Sequence, residues 1–320
     1  MLERYRREIS VAGAILALAA VLALAAPGFF TLQNQTDLLL TNMPVLIVAL
    51  GMTLVVLAGQ IDISVGSVFA ICSVAAGVLA KMGLPTPIAG LAACLIGAAF
   101  GALNGALVAY VRIPSIVVTL AMMVALRDGL RWTTQGAWVQ NLPADFQWFG
   151  LSQAASQSAT FLCALLLLAG MAWGLRHLAA GRAVYATGSN ADAARLAGIH
   201  PNLVTCAVFV LTGTLTGFAA MLNSVRFNQI PSNAGLGLEL KVIAAVVVGG
   251  TAITGGKGTI LGTLLGMILL GMIGPALTFL GVSAYWERAI QGVIILAAVA
   301  IDAVRARSGR YAASPAPAGD

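Results

Sequence analysis

Long apolar runs, separated by short polar or glycine-rich stretches, recur along almost the whole chain. An α-helix needs about 20 mostly apolar residues to cross the hydrocarbon core of a bilayer. On this pattern we predict ten membrane-spanning helices, at residues 9–27, 38–58, 65–80, 87–110, 114–126, 158–175, 204–222, 240–250, 259–280 and 287–303. Three of them, 65–80, 114–126 and 240–250, are too short for a full crossing, which is typical of helices that break around a cavity.

Composition agrees with this pattern. Of the 320 residues, 60% are hydrophobic and 9% are charged, whereas soluble domains carry about 25% charged residues. We therefore predict an all-α, polytopic membrane protein. The net charge of +6 does not indicate a nucleic-acid interface, because the basic residues are scattered at the ends of apolar runs instead of sharing one face.

The distribution of Lys and Arg predicts the orientation. With the amino terminus inside, eleven basic residues fall in cytoplasmic segments and six fall outside or within spans. This excess places both termini in the cytoplasm. The chain then divides into a cytoplasmic segment 1–8, a single transmembrane domain 9–303 with a cytoplasmic loop 176–203, and a cytoplasmic tail 304–320. The tail is rich in small residues and proline, and we predict that it is disordered.

A small polar island, with the sequence GQIDISVGS at 59–67, lies between two of the apolar runs. At this place the carboxylate of Asp62 must cap a helix, line a cavity or face water. Asn104 lies beside glycines at four-residue spacing, so it is either an interhelical hydrogen-bonding group or a pore-lining amide. The candidate pathway residues are Gln60, Asp62, Ser64, Ser67 and Asn104.

The cytoplasmic loop contains a short helical signal. Asn190 is a favourable N-cap, residues 191–197 are mostly good helix formers, and Gly198 is a natural stop. A helix of this length is marginal alone in water. It is therefore either a solvated connector or a helix that docks in the groove of a partner.

A glycine-rich segment, with the sequence VVGGTAITGGKG at 247–258, is superficially similar to a phosphate-binding loop. A Walker sequence needs Ser or Thr directly after the Lys and a strand before the loop, but Gly258 follows Lys257 here and the neighbouring segments are helical. We interpret the segment as a tight turn with close helix packing, formed by Gly249, Gly250, Gly255, Gly256, Lys257 and Gly258.

The remaining polar residues do not form a catalytic or metal-binding pattern. Four cysteines are isolated in apolar runs, and the two histidines lack a serine and carboxylate partner. We therefore predict no enzyme activity, no metal and no cofactor. Glu239 and Lys241 lie at the outer start of a span, where a surface ion position is the default and substrate contact is the alternative. Beyond Asp62 we find no intramembrane acidic–basic relay of the kind that a secondary transporter would use.

Four segments together carry a resemblance. They are GQIDISVGS, ALNGALVAYVRIPSIVVTL from Ala102, YATGSNADAARLAGI from Tyr185, and AAVVVGGTAITGGKGTILGTLLG from Ala244. In this order and spacing, the chain resembles the permease subunits of the ribose-type branch of bacterial ABC importers over residues 27–303. Gln60 and Ile63 depart from the Gly and Leu that the family more often has. The loops GAWVQNLP at Gly136 and AYWERAIQG at Ala284 are more similar to permeases for rhamnose or autoinducer-2.

The resemblance implies a transport subunit, not an enzyme, in the bacterial inner membrane. Two permeases, identical or homologous, would enclose the pathway, with cytoplasmic ATP-binding subunits below and a periplasmic sugar-binding protein above. The short loop helix would be the coupling helix that contacts the ATPase. The residues implied in this contact are Gly188, Asn190, Ala191, Ala194, Arg195 and Gly198.

Two alternatives stay open on this interpretation. Asp62 either accepts backbone N–H groups at the start of the helix near Ser64 or hydrogen-bonds sugar hydroxyls in a wet cavity. The alternative function is a proton- or ion-coupled secondary transporter of a small polar solute. We expect the importer, because the sequence offers no acidic–basic relay that a secondary carrier would use.

Overall fold

The computed structural model describes residues 6–283, 285–294, 296–297 and 300 of the chain. These residues are helical apart from turns and loops, with an isolated antiparallel bridge between Val139 and Ile230. Residues 286–294 form a helical stretch that coincides with the start of the predicted span 287–303. The preceding helices are α1 (Arg6–Ala25), α2 (Leu32–Leu57), α3 (Val65–Lys81), α4 (Thr86–Ala109), α5 (Ser115–Thr134), α6 (Gln153–His177), α7 (Ala179–Ser189), α8 (Ala191–Leu196), α9 (Pro201–Ser224), α10 (Leu238–Val248) and α11 (Ile260–Phe279).

Six of the described helices are long and apolar enough to cross a membrane, namely α1, α2, α4, α6, α9 and α11. The prediction of an all-α, polytopic membrane protein is confirmed. The number of ten crossings, the cytoplasmic placement of both termini and the domain bounds stay predictions. The ends of the chain, residues 1–5 and 301–320 with the predicted disordered tail, lie outside the described residues.

The three spans predicted to be short differ from one another. α3 has 17 residues and α10 has 11, so both are shorter than a crossing of about 20 residues. The helix of the span predicted at 114–126, α5, continues through charged residues to Thr134. Where the membrane ends along this helix stays a prediction.

The core is built around α2. This helix is the most buried of the six long apolar helices, and every residue from Leu46 to Leu57 is buried. It packs against α9, α10 and α11. The carboxyl end of α2 is therefore enclosed by other helices where the chain enters the polar island.

The closest helix pair is α4 with α9, and glycines make it possible. A Cβ on Gly97 would collide with the carbonyl oxygen of Gly213, and a Cβ on Gly213 would collide with the carbonyl oxygen of Gly97. One turn along, Gly101 lies equally close to the backbone of Phe209. Small residues at membrane helix interfaces let backbones approach and gain van der Waals contact. The packing that the four-residue spacing predicted on α4 is thus present.

We expect Gly213→Leu to separate α4 from α9, because the new side chain has no room against Gly97. Overpacking of this kind costs at least about 1–3 kcal/mol of folding free energy. The loss is measured as a lower temperature of unfolding of the purified protein in detergent. Gly170→Leu on α6 is the matched control, since a Cβ there meets nothing within 4 Å. Equal losses in both variants would contradict the packing role of Gly213.

Candidate functional site

The chain between α2 and α3, residues 58–64, turns at the end of α2 and runs back into the protein. Gly59 has a φ of +77°, which glycine adopts at no steric cost. The N–H of Ile61 donates to Ser115 Oγ at 3.2 Å, and Thr119 Oγ1 donates to the carbonyl of Ile61 at 3.4 Å. The first turn of α5 therefore holds this segment in place.

Asp62 organises the start of α3. Its side chain is buried, and its Oδ1 accepts the backbone N–H of Ser64 at 2.9 Å and the Ser64 hydroxyl at 2.6 Å. The hydroxyl oxygen of Ser64 in turn accepts a hydrogen bond from Asn104 Nδ2 at 2.9 Å. Three of the five candidate pathway residues thus form one connected network, which joins the polar island to α4.

The network leaves one acceptor unused. Asn104 is fully buried, and among the described residues no donor lies within hydrogen-bonding distance of its Oδ1. Its Nδ2 makes a hydrogen bond between α4 and the start of α3, which agrees with the predicted interhelical role. Its Oδ1 is still free to accept a hydrogen bond, as a pore-lining amide would. Buried polar atoms without a partner are rare in native proteins and point to a functional use or an ordered water.

The other two candidates lie apart from this network. Ser67 Oγ donates to the carbonyl of Met123 on α5 at 2.8 Å. Gln60 is half-buried next to Gly59, before the chain reaches Asp62. The sequence grouped these residues because they are neighbours in the chain, whereas the side chains of Gln60 and Ser67 take no part in the hydrogen bonds among Asp62, Ser64 and Asn104.

A glycine junction lies where α2 ends. The carbonyl of Leu57 accepts the N–H of Gly256 at 2.9 Å, and a Cβ on Gly188 would collide with the same carbonyl oxygen. Gly59 and Gly255 also meet here, since a Cβ on Gly255 would lie 2.9 Å from the Gly59 backbone. The end of α7 and the glycine-rich segment 249–258 are therefore both in contact with the start of the polar island.

The glycine-rich segment forms the predicted tight turn. Positive φ values occur at Gly250, Gly255, Gly256 and Gly258, and the N–H of Ala252 donates to the carbonyl of Lys257 at 2.8 Å. Gly249 packs on the backbone of Gly262 at the start of α11, where a Cβ has no room. Turn geometry and close helix approach both occur in this segment.

The short loop helix is α8. Asn190 Oδ1 accepts the N–H groups of Asp192 and Ala193, each at 3.0 Å, as an N-cap does. The helix ends at Leu196, and Gly198 has the positive φ of a helix stop, +80°. Gly188 belongs to the end of α7 and packs at the glycine junction, while its contact with the ATPase stays a prediction. Within α8, Ala194 is buried, Arg195 pairs with Asp192 at 3.2 Å on the surface, and Leu196 is 92% exposed.

An ion pair inside the protein was missed by the sequence analysis. Arg127 Nη2 lies 3.2 Å from Glu239 Oε1, and the side chain of Glu239 is only 8% exposed. The default prediction of a surface position for Glu239 was therefore wrong. Lys241 also pairs, with Glu287 Oε1 at 2.6 Å. The signal available in the sequence was that Glu239 lies at the start of a short span, shortly after Gly235 and Gly237.

Comparison with known proteins gives a consistent result. Residues 34–299 match the family described as branched-chain amino acid transport system, permease component. The chain is 38% identical to the ribose import permease RbsC of Escherichia coli K12 over 295 residues, which cover 90% of this chain and 91% of the relative. It is 36% identical to the autoinducer 2 import system permease LsrC of Yersinia pseudotuberculosis over 296 residues, with 92% and 84% covered. No solved structure gives a significant match.

We expect Asp62→Asn to keep the start of α3 intact, because the amide oxygen of Asn can accept the same two hydrogen bonds from Ser64. Asp62→Ala removes both acceptors and leaves a buried N–H without a partner, at a cost of about 1–3 kcal/mol. Thermal unfolding of the purified variants measures this difference. If Asp62→Asn abolished transport in a normally folded and assembled complex, the carboxylate would act on the substrate and not on the helix start.

Proposed function

The chain belongs to the family of transport-system permease components, and from this premise we propose that it is the transmembrane subunit of an ATP-driven monosaccharide importer of the bacterial inner membrane. The observation that carries the proposal is the similarity to a ribose permease and an autoinducer 2 permease along about nine-tenths of the chain. Both relatives are permeases, so the proposed role is transport, with ATP hydrolysed by a separate subunit.

Three kinds of partner follow from this role. A second permease, identical or homologous, encloses the pathway together with this chain. Cytoplasmic ATP-binding subunits supply the free energy, and a periplasmic sugar-binding protein supplies the affinity. The capped helix α8 supports contact with the ATP-binding subunits, because it presents the almost fully exposed Leu196 on a helix too short to be stable alone in water.

The contacts at the glycine junction suggest how α8 transmits movement. α8 follows directly after α7, whose Gly188 packs on the carbonyl of Leu57. Leu57 leads into the segment that carries Asp62, and Asp62 is connected through Ser64 to Asn104. A displacement of α8 would therefore reach Leu57 through backbone contact, and from there the candidate pathway through the hydrogen bonds of Asp62 and Ser64. Rigid shifts of this kind are the usual elements of alternating access.

The proposal for the cargo is limited to its chemical class. The relatives that carry ribose and autoinducer 2 by name are almost equally similar to this chain, at 38% and 36% identity. The two loops that resemble rhamnose or autoinducer-2 permeases keep these cargoes among the candidates. All of them are small and rich in hydroxyl or carbonyl oxygens, which suits a pathway lined by amide and hydroxyl groups.

We expect Leu196→Asp to reduce co-purification of the ATP-binding subunit by about tenfold or more, as loss of a central apolar anchor does. The permease itself keeps its thermal stability, because Leu196 is almost fully exposed. Leu151→Asp is the matched control, since this exposed leucine lies on the predicted opposite side of the membrane. Unchanged co-purification of the Leu196→Asp complex would exclude α8 as the coupling helix.

The importer and the secondary carrier differ in their energy source. In membrane vesicles that contain the chain with its ATP-binding subunit and binding protein, we expect uptake of labelled ribose, rhamnose or autoinducer-2 to stop when ATP is depleted. Uptake should continue when the proton gradient alone is collapsed. The reverse pattern would contradict the proposal in favour of a secondary carrier. Thermal shift of the binding protein with each compound identifies the cargo.

A further inference from the structure

The second half of α5 carries charges on an open surface. Its buried residues, Ser115, Val118 and Thr119, all lie near its start. Further along, Asp128 and Arg131 are each about two-thirds exposed and form only a loose pair at 3.9 Å. Charged side chains in contact with lipid are costly, and within membrane segments they face the protein interior or a water-filled cavity. This flank of α5 is therefore covered by protein or water in the assembled transporter.

Arg127 lies between this open flank and the protein interior. At 1.5 Å per residue it is about 18 Å along the helix from Ser115, well inside a 20-residue helix. Its side chain is 27% exposed, whereas that of Glu239 is 8% exposed. Among the described residues the guanidinium makes one hydrogen bond, to Glu239 Oε1. The remaining N–H donors of Arg127 are thus available on the side that Glu239 does not occupy.

Glu239 is fixed from the other side. It lies in the first turn of α10, where the helix dipole stabilises a negative charge. Its Oε2 is buried over Gly66 at the start of α3, where a Cβ would collide with this oxygen. No described residue donates a hydrogen bond to Oε2. Glu239 is consequently held rigidly, with one oxygen on Arg127 and the other without a partner.

The site lies where the start of α3, directly after the non-helical part of the polar island, meets the non-helical segment before α10. Gly66 is in the first turn of α3, and Gly235, with a φ of +75°, has its backbone against Gly66. Segments of this kind that interrupt short helices occur in transporters where the chain lines a cavity. The position of the ion pair beside two helix breaks agrees with a place on the pathway.

We propose that Arg127 lines the translocation pathway and donates hydrogen bonds to hydroxyl groups of the passing sugar, while Glu239 orients its guanidinium. This inference rests on the proposed function. The guanidinium presents several donors in a fixed plane, which matches neighbouring hydroxyl oxygens of a monosaccharide. Glu239 is the positioning residue, and its unpaired Oε2 can accept a hydrogen bond from a hydroxyl group when the segments around Gly66 separate.

The first test asks whether water reaches this flank and needs no sugar. Val124→Cys and Leu120→Cys lie about one and two turns from Arg127 on the same face of α5 and leave the ion pair intact. We expect a charged, membrane-impermeant thiosulfonate reagent to label at least one of them in the complete complex. The unaltered chain is the control, because its exposed Cys163 lies on the apolar surface of α6, where a charged reagent does not dissolve. Labelling of neither variant would overturn the proposal.

The second test separates sugar contact from structural support. In proteoliposomes with the ATP-binding subunit and binding protein, we measure the amount of labelled cargo moved per ATP hydrolysed. The cargo is the compound that the unaltered complex transports. Arg127→Ala should lower this ratio by about tenfold, since a hydrogen bond from a charged group is lost. Arg127→Lys should lower it less, and Glu239→Gln should lower it because a neutral amide holds the guanidinium less firmly.

The control for this test is a charged residue that lies away from the ion pair. Lys81→Ala, at the exposed end of α3, should leave the ratio unchanged. If Arg127→Ala lowered thermal stability and ATP hydrolysis together but kept the ratio, the pair would be structural and the proposal wrong. Failure of the unaltered complex to move any sugar would instead refute the proposed function, and the labelling test would still decide whether Arg127 borders water.

Discussion

The structure depends on one constraint, that buried backbone groups away from water must find their hydrogen bonds within the protein. The polar island meets it through specific neighbours. Ser115 and Thr119 of α5 satisfy the backbone of Ile61, and Asp62 satisfies the N–H of Ser64. On the other side of the turn, the carbonyl of Leu57 accepts the N–H of Gly256. These bonds fix which helices surround the island, and therefore which surfaces are left to form a pathway.

Close backbone approach is the second condition, and glycine supplies it. At the junction of Leu57, Gly188 and Gly256, backbones touch without intervening side chains, so a shift of one segment displaces the next by nearly the same amount. Side chains would absorb part of such a shift by changing rotamer. Direct backbone contact of the same kind joins α4 to α9, and it joins α10 to α11 at Gly249 and Gly262. Backbone contacts of this kind transmit a displacement directly from one helix to the next, which suits alternating access.

The sequence allowed the local features to be predicted and left the distant ones open. The apolar runs located most helices, the cap of α8 at Asn190 followed from side-chain chemistry, and the glycine spacing on α4 indicated its packing. The pairing of Arg127 with Glu239 joins residues 112 positions apart, and nothing local in either segment requires it. The contact of Gly188 with Leu57 likewise depends on the fold and has no local signal in the sequence.

The two polar sites differ in how completely their hydrogen bonds are made, and this difference separates their roles. Asp62 Oδ1 accepts two hydrogen bonds and the carboxylate is buried behind Ser64 and Asn104. Exchanging those partners for a passing ligand would leave a backbone N–H unpaired, which is costly. Arg127, Glu239 and Asn104 each retain donors or acceptors that no described residue uses. A ligand that bonds to these groups adds hydrogen bonds without breaking existing ones. A transport pathway needs contacts that form and release easily, so the groups with spare capacity are better suited to meet the cargo, and Asp62 is better suited to hold the backbone that presents them.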